Sequence, residues 1–128
     1  MFSFRERILF MSYDLILNRA VQLFEHGELD AAERLFRQIL ETAPRQPDVL
    51  NLLGLVAQAK GAHPDACHLF YQAIMQKHDN PAFYYNLAFS LKLDNKPYEA
   101  IENFQKSLSL KPDTKEAYNE LGIIHHSL

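Results

Sequence analysis

Apolar residues recur along this chain at the spacing of one helix face. Ile16, Ala20 and Leu23, then Leu50, Gly54 and Ala57, then Tyr84, Ala88 and Leu91 fall at i, i+4 and i+7. Segments alternating with these carry a second stripe: Ala32, Leu35, Phe36 and Ile39; Ala66, Leu69, Phe70 and Ala73; Ala100, Phe104 and Leu108. Charged and polar residues fill the positions between, which predicts amphipathic helices burying one face each. Gly27, Gly61 and Asn95 separate the two kinds of segment, and these residue types tolerate positive φ at a helix end. Pro44-Arg45-Gln46-Pro47, Asn80-Pro81 and Pro112-Asp113-Thr114 separate one pair from the next. Asn80 suits an N-cap and Pro81 the first helical position, where a missing N–H costs nothing. The pattern predicts helices near 13–26, 29–42, 47–59, 64–77, 81–93, 97–110 and 115–127.

The helices come in a repeat. Ala32, Ala66 and Ala100 recur every 34 residues, as do Phe36, Phe70 and Phe104, and Ala20, Gly54, Ala88 and Gly122. No insertion breaks that register from Tyr13 onward. Small residues at matched places on both helices let the two backbones approach, and the phenylalanine fills the space one turn further on. A helix pair of this size cannot bury its apolar faces alone, so units must stack. The units run 13–46, 47–80 and 81–114, with a partial unit at 115–128 and a leader at 1–12 that is amphipathic or disordered.

The 34-residue period, the Leu-Gly or Leu-Ala pair, the Ala-x-x-x-Phe and the closing Pro resemble the tetratricopeptide repeat (TPR). The third unit matches the motif best, through Tyr84, Leu87, Ala88, Leu91, Ala100, Phe104, Ser107 and Pro112. The second carries Leu50, Leu53, Gly54, Ala66, Phe70 and Ala73 but no closing Pro, and the first has Arg19 where the motif has Leu. The resemblance implies an all-α fold, a right-handed superhelical solenoid of antiparallel helix pairs, whose first helices line a concave face. With the core positions removed, those helices keep a second stripe: Leu17, Asn18, Val21 and Phe24; Asn51, Leu52, Leu55 and Gln58; Tyr85, Asn86, Phe89 and Lys92; Asn119, Glu120 and Ile123. An apolar stripe of this kind marks an interaction surface, unless neighbouring concave side chains pack on one another. Asn18, Asn51, Asn86 and Asn119 offer amide donors and acceptors to a peptide backbone.

Two TPR binding modes can be compared on the same positions. The clamp for a chaperone's terminal carboxylate uses Lys, Arg and Asn, whereas Leu17, Val21, Leu52 and Ala82 stand here and Asn86 alone fits. The asparagine ladder of O-GlcNAc transferase is similar at Asn18 and Asn86 and broken at Leu52 and Glu120.

Composition narrows the rest. The chain has 128 residues, 48% hydrophobic and 23% charged, with a net charge of −3. That is one domain with enough apolar residues for a core. Lys92, Lys96, Lys106 and Lys111 share the third unit with Asp94, Glu99, Glu102 and Asp113, so no basic track for nucleic acid forms. Apolar runs fall short of the ~20 residues a membrane span needs. The lone Cys67 fits a reducing compartment, and a cytoplasmic location is expected.

Chemistry is sparse. Cys67 and His68 are adjacent on a helix and cannot face each other. His63 and His68, and the pair His125-His126, lack the convergence a metal site requires. Gly27, Gly54, Gly61 and Gly122 never cluster into a phosphate loop. No catalytic residue, metal site or cofactor is expected.

Both ends look unfinished as a repeat array. In residues 1–12, Phe2, Phe4, Ile8, Leu9 and Phe10 surround Arg5, Glu6 and Arg7. Leu121, Ile124 and Leu128 anticipate a second helix, which suggests the amino-terminal part of a longer protein and self-association through the ends. The expected function is a non-catalytic protein-interaction module that takes a peptide or helix in its groove. The rival is the substrate-recruiting arm of a TPR-linked glycosyltransferase or methyltransferase.

Overall fold

The computed structural model describes residues 3–128, which hold seven α-helices and no strand. They are α1 (Phe4–Glu25), α2 (Leu29–Thr42), α3 (Pro47–Ala59), α4 (His63–Gln76), α5 (Pro81–Leu93), α6 (Pro97–Leu110) and α7 (Lys115–Ser127). Each helix packs on its chain neighbours, and the first helices also touch along the solenoid, α3 on α5 and α5 on α7. The fold is an all-α TPR-like solenoid.

Three pairs end their first helix in the same way. After α1 the chain turns through Gly27 (φ 78°), and the Glu28 N–H donates back to the Leu23 carbonyl at 2.8 Å. Gly61 (φ 80°) and Asn95 (φ 60°) repeat this, with Ala62 N–H donating to Ala57 O and Lys96 N–H to Leu91 O, each at 2.9 Å. The left-handed residue lets the chain satisfy orphan carbonyls and reverse direction in three residues. At the start of α5 the Asn80 side chain accepts from the Ala82 N–H at 2.9 Å, with Pro81 in the first turn.

The core forms a string along the solenoid. One cluster is built on Ala20, Ala32, Phe36, Ile39, Val49, Leu53 and Val56, and a small one on Leu50, Ala73 and Phe83. The largest joins Ala57, Ala66, Phe70, Leu87, Ala88, Leu91, Ala100, Phe104, Ala117 and Ile124. Leu69 packs against all three and ties them together. The Ala-x-x-x-Phe pairs have no exposed surface, as the repeat demanded. A Cβ at Gly54 would stand 2.5 Å from a Phe70 ring carbon, so only glycine admits the ring there. Buried hydroxyls in this core are paired. Ser107 donates to the Pro81 carbonyl at 2.9 Å, and Tyr84 donates to the His78 carbonyl at 2.8 Å.

Helix boundaries follow the expected ones closely, with α4 one residue earlier and α1 much longer. The helix expected from residue 13 begins at Phe4. The cause is local: between Phe4 and Glu25 there is no Gly or Pro, and Arg, Glu, Leu and Met are good helix formers. No break therefore separates residues 4–12 from the first repeat helix. Phe2 lies outside the described residues, as do the side chains of Ile8, Leu9 and Phe10. Among the described residues, no helix is long and apolar enough to cross a membrane.

Candidate functional site

The second stripe of the first helices is anchored at its base by the core and held laterally by polar pairs. Leu17, Val21 and Phe24 of α1 are half-buried against the first core cluster. Leu55 of α3, with Tyr85 and Phe89 of α5, is half-buried against the largest one. The Tyr85 ring packs edge-on to Phe104 with centroids 5.4 Å apart, and lies near-parallel to Phe89 at 6.4 Å. A buried residue of α6 thus braces the most aromatic part of the stripe. Such preset rings lose little freedom on binding.

Polar groups cross between helices. The Asn86 side-chain amide donates to Asn51 Oδ1 at 2.9 Å, linking α5 to α3. This leaves the Asn86 carbonyl oxygen and the Asn51 amide hydrogens as further acceptor and donor. Gln58 donates to the buried Ser90 hydroxyl at 2.8 Å, a second tie between the same helices. Lys92 forms an ion pair with Glu120 of α7 at 2.5 Å, and its ammonium stands 5.3 Å from the Phe89 ring centroid. The cation is held by a carboxylate and a ring face at once. Asn18, Asn119 and Ile123 belong to the stripe but are exposed.

Of the expected groove residues, the structure brings Asn51, Asn86, Tyr85, Phe89 and Lys92 into one connected patch on α3 and α5. Leu17, Val21 and Phe24 form a separate apolar stretch on α1. Sequence reasoning missed the edge of the patch. A cavity of about 260 Å³ is lined by Pro81, Ala82, Tyr85, Asn86, Ser107, Lys111, Thr114 and Glu116. Lys111, which is not among the stripe residues of the first helices, lies in this cavity beside Tyr85 and Asn86. The reason is that the α6–α7 connection folds back under the start of α5. A larger cavity, about 670 Å³, includes Tyr13, Asp14, Ile39, Ala43 and Gln46. These five stand two repeat lengths before Pro81, Ala82, Ser107, Lys111 and Thr114, so the register signal was present in the loops as well as in the helices.

Burial dominates the electrostatics of the site. It raises the Tyr85 hydroxyl above the ordinary phenol value, and the carboxylates of Glu120 and Glu116 add to the effect. Away from the groove, burial and then the Asp94 carboxylate push the Cys67 thiol up to about 11. A thiol held protonated at neutral pH is a poor nucleophile. His68 is exposed and meets Gln72, one turn along its own helix, at 3.1 Å. Among the described residues, no three His, Cys, Asp or Glu side chains converge as a metal site would.

Family models of the tetratricopeptide repeat match residues 17–88 and 81–114. The chain belongs to the tetratricopeptide repeat family. The photosystem I assembly protein Ycf3 of Cyanophora paradoxa is 27% identical over 77 residues, 58% of this chain. The chain matches 44% of that protein's length, somewhat under half. Among solved structures, the first TPR of Spaghetti (RPAP3) bound to the HSP90 peptide SRMEEVD superposes with a TM-score of 0.87. That pair is 18% identical and covers 90% of this chain and 91% of the other. A mutant O-GlcNAc transferase from Thermobaculum terrenum also gives 0.87 at 25% identity, over 98% of this TPR chain but 24% of the transferase.

Proposed function

We propose that this TPR chain is a protein-interaction module that binds a largely uncharged peptide segment across the first helices, centred on Tyr85 and Phe89. The observation that carries this reading is the braced aromatic pair beside the Asn51–Asn86 amide pair. It offers apolar area and backbone hydrogen bonding in one place. The RPAP3 domain of the same fold, bound to a chaperone peptide, supports a peptide as the ligand class. The terminal-carboxylate clamp is disfavoured here, because Leu17, Val21 and Ala82 stand where cationic and amide groups would grip and Lys92 is engaged by Glu120.

A displayed random-peptide library, selected on the chain, tests the reading. Selected sequences should be rich in apolar side chains, should bind equally with free or amidated C-termini, and should lose little affinity between low and moderate salt. Binding that needs a free carboxylate or collapses in salt would replace this mode with an ionic clamp.

A second reading has one observation behind it. The likeness to the O-GlcNAc transferase spans nearly the whole chain, which supports a substrate-recruiting arm of a longer glycosyltransferase. The asparagines Asn18 and Asn86 would then contact the acceptor peptide. The reading frame beyond Leu128 decides between the two.

A further inference from the structure

The cavity of about 260 Å³ shares Tyr85 and Asn86 with the groove. Pro81, Ala82 and the Tyr85 ring give it apolar walls, and the buried Ser107 closes one side. The Ser107 hydroxyl donates to the Pro81 carbonyl at 2.9 Å, and the Thr114 hydroxyl to the Lys111 carbonyl at 3.0 Å. Both bonds tie down the backbone around the cavity, so it is formed before anything enters. A cavity of ~150 Å³ already accepts a benzene ring, and this one has room for an aromatic side chain.

Two opposite charges line the same space. Lys111 and Glu116 are both exposed, and the ion pairs among the described residues involve neither. An entering carboxylate meets Glu116 and an entering ammonium meets Lys111, so neither sign is favoured. An aromatic ring suits both charges: its negative face attracts the ammonium, and its positive edge, with any N–H or O–H there, suits the carboxylate. The chain makes the first contact twice elsewhere. Lys92 stands 5.3 Å from the Phe89 centroid and Lys106 stands 6.0 Å from that of Tyr84. Asn86 uses its amide hydrogens toward Asn51, which leaves its carbonyl oxygen as a second acceptor. At the same register the larger cavity has Tyr13, Asp14 and Ala43 in place of Pro81, Ala82 and Lys111, and so lacks the cation.

We infer that the smaller cavity is a specificity pocket of the peptide groove and takes one tryptophan or tyrosine side chain of the bound peptide. The inference rests on the peptide reading above and names the side chain that reading leaves open. The ring packs on Tyr85 beneath the Lys111 ammonium, with its polar hydrogen toward Glu116 or the Asn86 carbonyl. Ala82 sets the specificity, because a larger side chain there would fill the space the ring needs.

Parallel selection of the displayed peptide library on the wild type and on Ala82→Leu tests this. Ala82 is exposed, so the leucine fills the cavity without entering the core, and thermal melts check that both chains are folded. Peptides selected on the wild type should share a tryptophan or tyrosine at one position, and those selected on Ala82→Leu should not. In calorimetry, replacing that ring by alanine should weaken binding to the wild type at least ~10-fold, and binding to Ala82→Leu under ~2-fold. Lys111→Met should weaken the aromatic peptide ~3-fold and leave its alanine analogue unchanged. Phe89 lies outside the cavity, so Phe89→Ala should weaken both peptides alike and reports on the groove alone. If Phe89→Ala weakens binding while no aromatic position is selected, or while Ala82→Leu holds the aromatic peptide as the wild type does, the pocket is overturned and the groove stands. If Phe89→Ala leaves binding unchanged, the groove reading falls and the pocket falls with it.

Discussion

Gly54 and Gly122 hold the same position in the second and the fourth unit and meet opposite surroundings. At Gly54 the Phe70 ring from α4 fills the space a side chain would need; at Gly122 that space is open. Ala88, the same position in the third unit, is buried with α6 against it. Repeat register therefore assigns a residue its type and its direction. Whether the position is buried depends on which helix comes next, as expected where each unit is stabilised chiefly by its neighbours. The same contrast runs through the concave stripe, where Tyr85 is braced by Phe104 and Ile123 of α7 is exposed.

The comparison can be broken most forcefully at the ring itself. Phe70→Ala removes a fully buried aromatic and should cost ~3–5 kcal/mol. Tyr118→Ala, on the open face of α7, should cost under ~0.5 kcal/mol. Urea unfolding of the two variants measures both, and equal losses would mean that α7 is as well packed as the second unit.

The glycines give a smaller effect with opposite signs. Gly54→Ala drives a methyl into the Phe70 ring and should destabilise by ~1–3 kcal/mol despite its better helix propensity. Gly122→Ala meets no obstacle and should stabilise by ~0.5–1 kcal/mol through propensity alone. Thermal melts read both. Ala66→Leu, at a fully buried position of α4, should also cost ~1–3 kcal/mol, against under ~0.5 kcal/mol for the exposed Glu102→Gln.

The smallest expected effect is alkaline. Burial raises the Cys67 thiol from an ordinary 9.0 to about 11. A folded-state pKa above the unfolded one means the folded chain keeps its proton longer. The contribution is whole below pH 9.0 and is lost as pH rises toward about 11. Melting temperatures across that window should fall less steeply for Cys67→Ala than for the wild type. A parallel fall would show that the thiol is not held by the core.

How much was legible in the sequence follows the same division. Helix order, the turns at Gly27, Gly61 and Asn95, and the buried Ala-x-x-x-Phe pairs were legible because each is a local rule repeated every 34 residues. The start of α1 was not, since the repeat register says where a unit begins, whereas a helix continues until something stops it. In the groove, residue types and the helix face were legible. The pairing of Asn51 with Asn86, the Lys92–Glu120 ion pair and the presence of Lys111 beside Tyr85 were not. They depend on side chains a full repeat or so apart and on the path of a connecting loop, which no single-helix pattern encodes.

The central claim is that recognition runs through the braced aromatics of α5. Calorimetric titration of a library-selected peptide into wild type, Tyr118→Ala, and the double variant Tyr85→Ala/Phe89→Ala tests it most directly. Burying one such ring is worth ~1.5–3 kcal/mol, so micromolar binding of about −8 kcal/mol should weaken at least ~100-fold in the double variant. Tyr118→Ala should bind as the wild type does, and the double variant should melt only modestly lower because both rings are half-buried. A double variant that stays folded and keeps the wild-type affinity would contradict the account and move recognition off the first helices altogether.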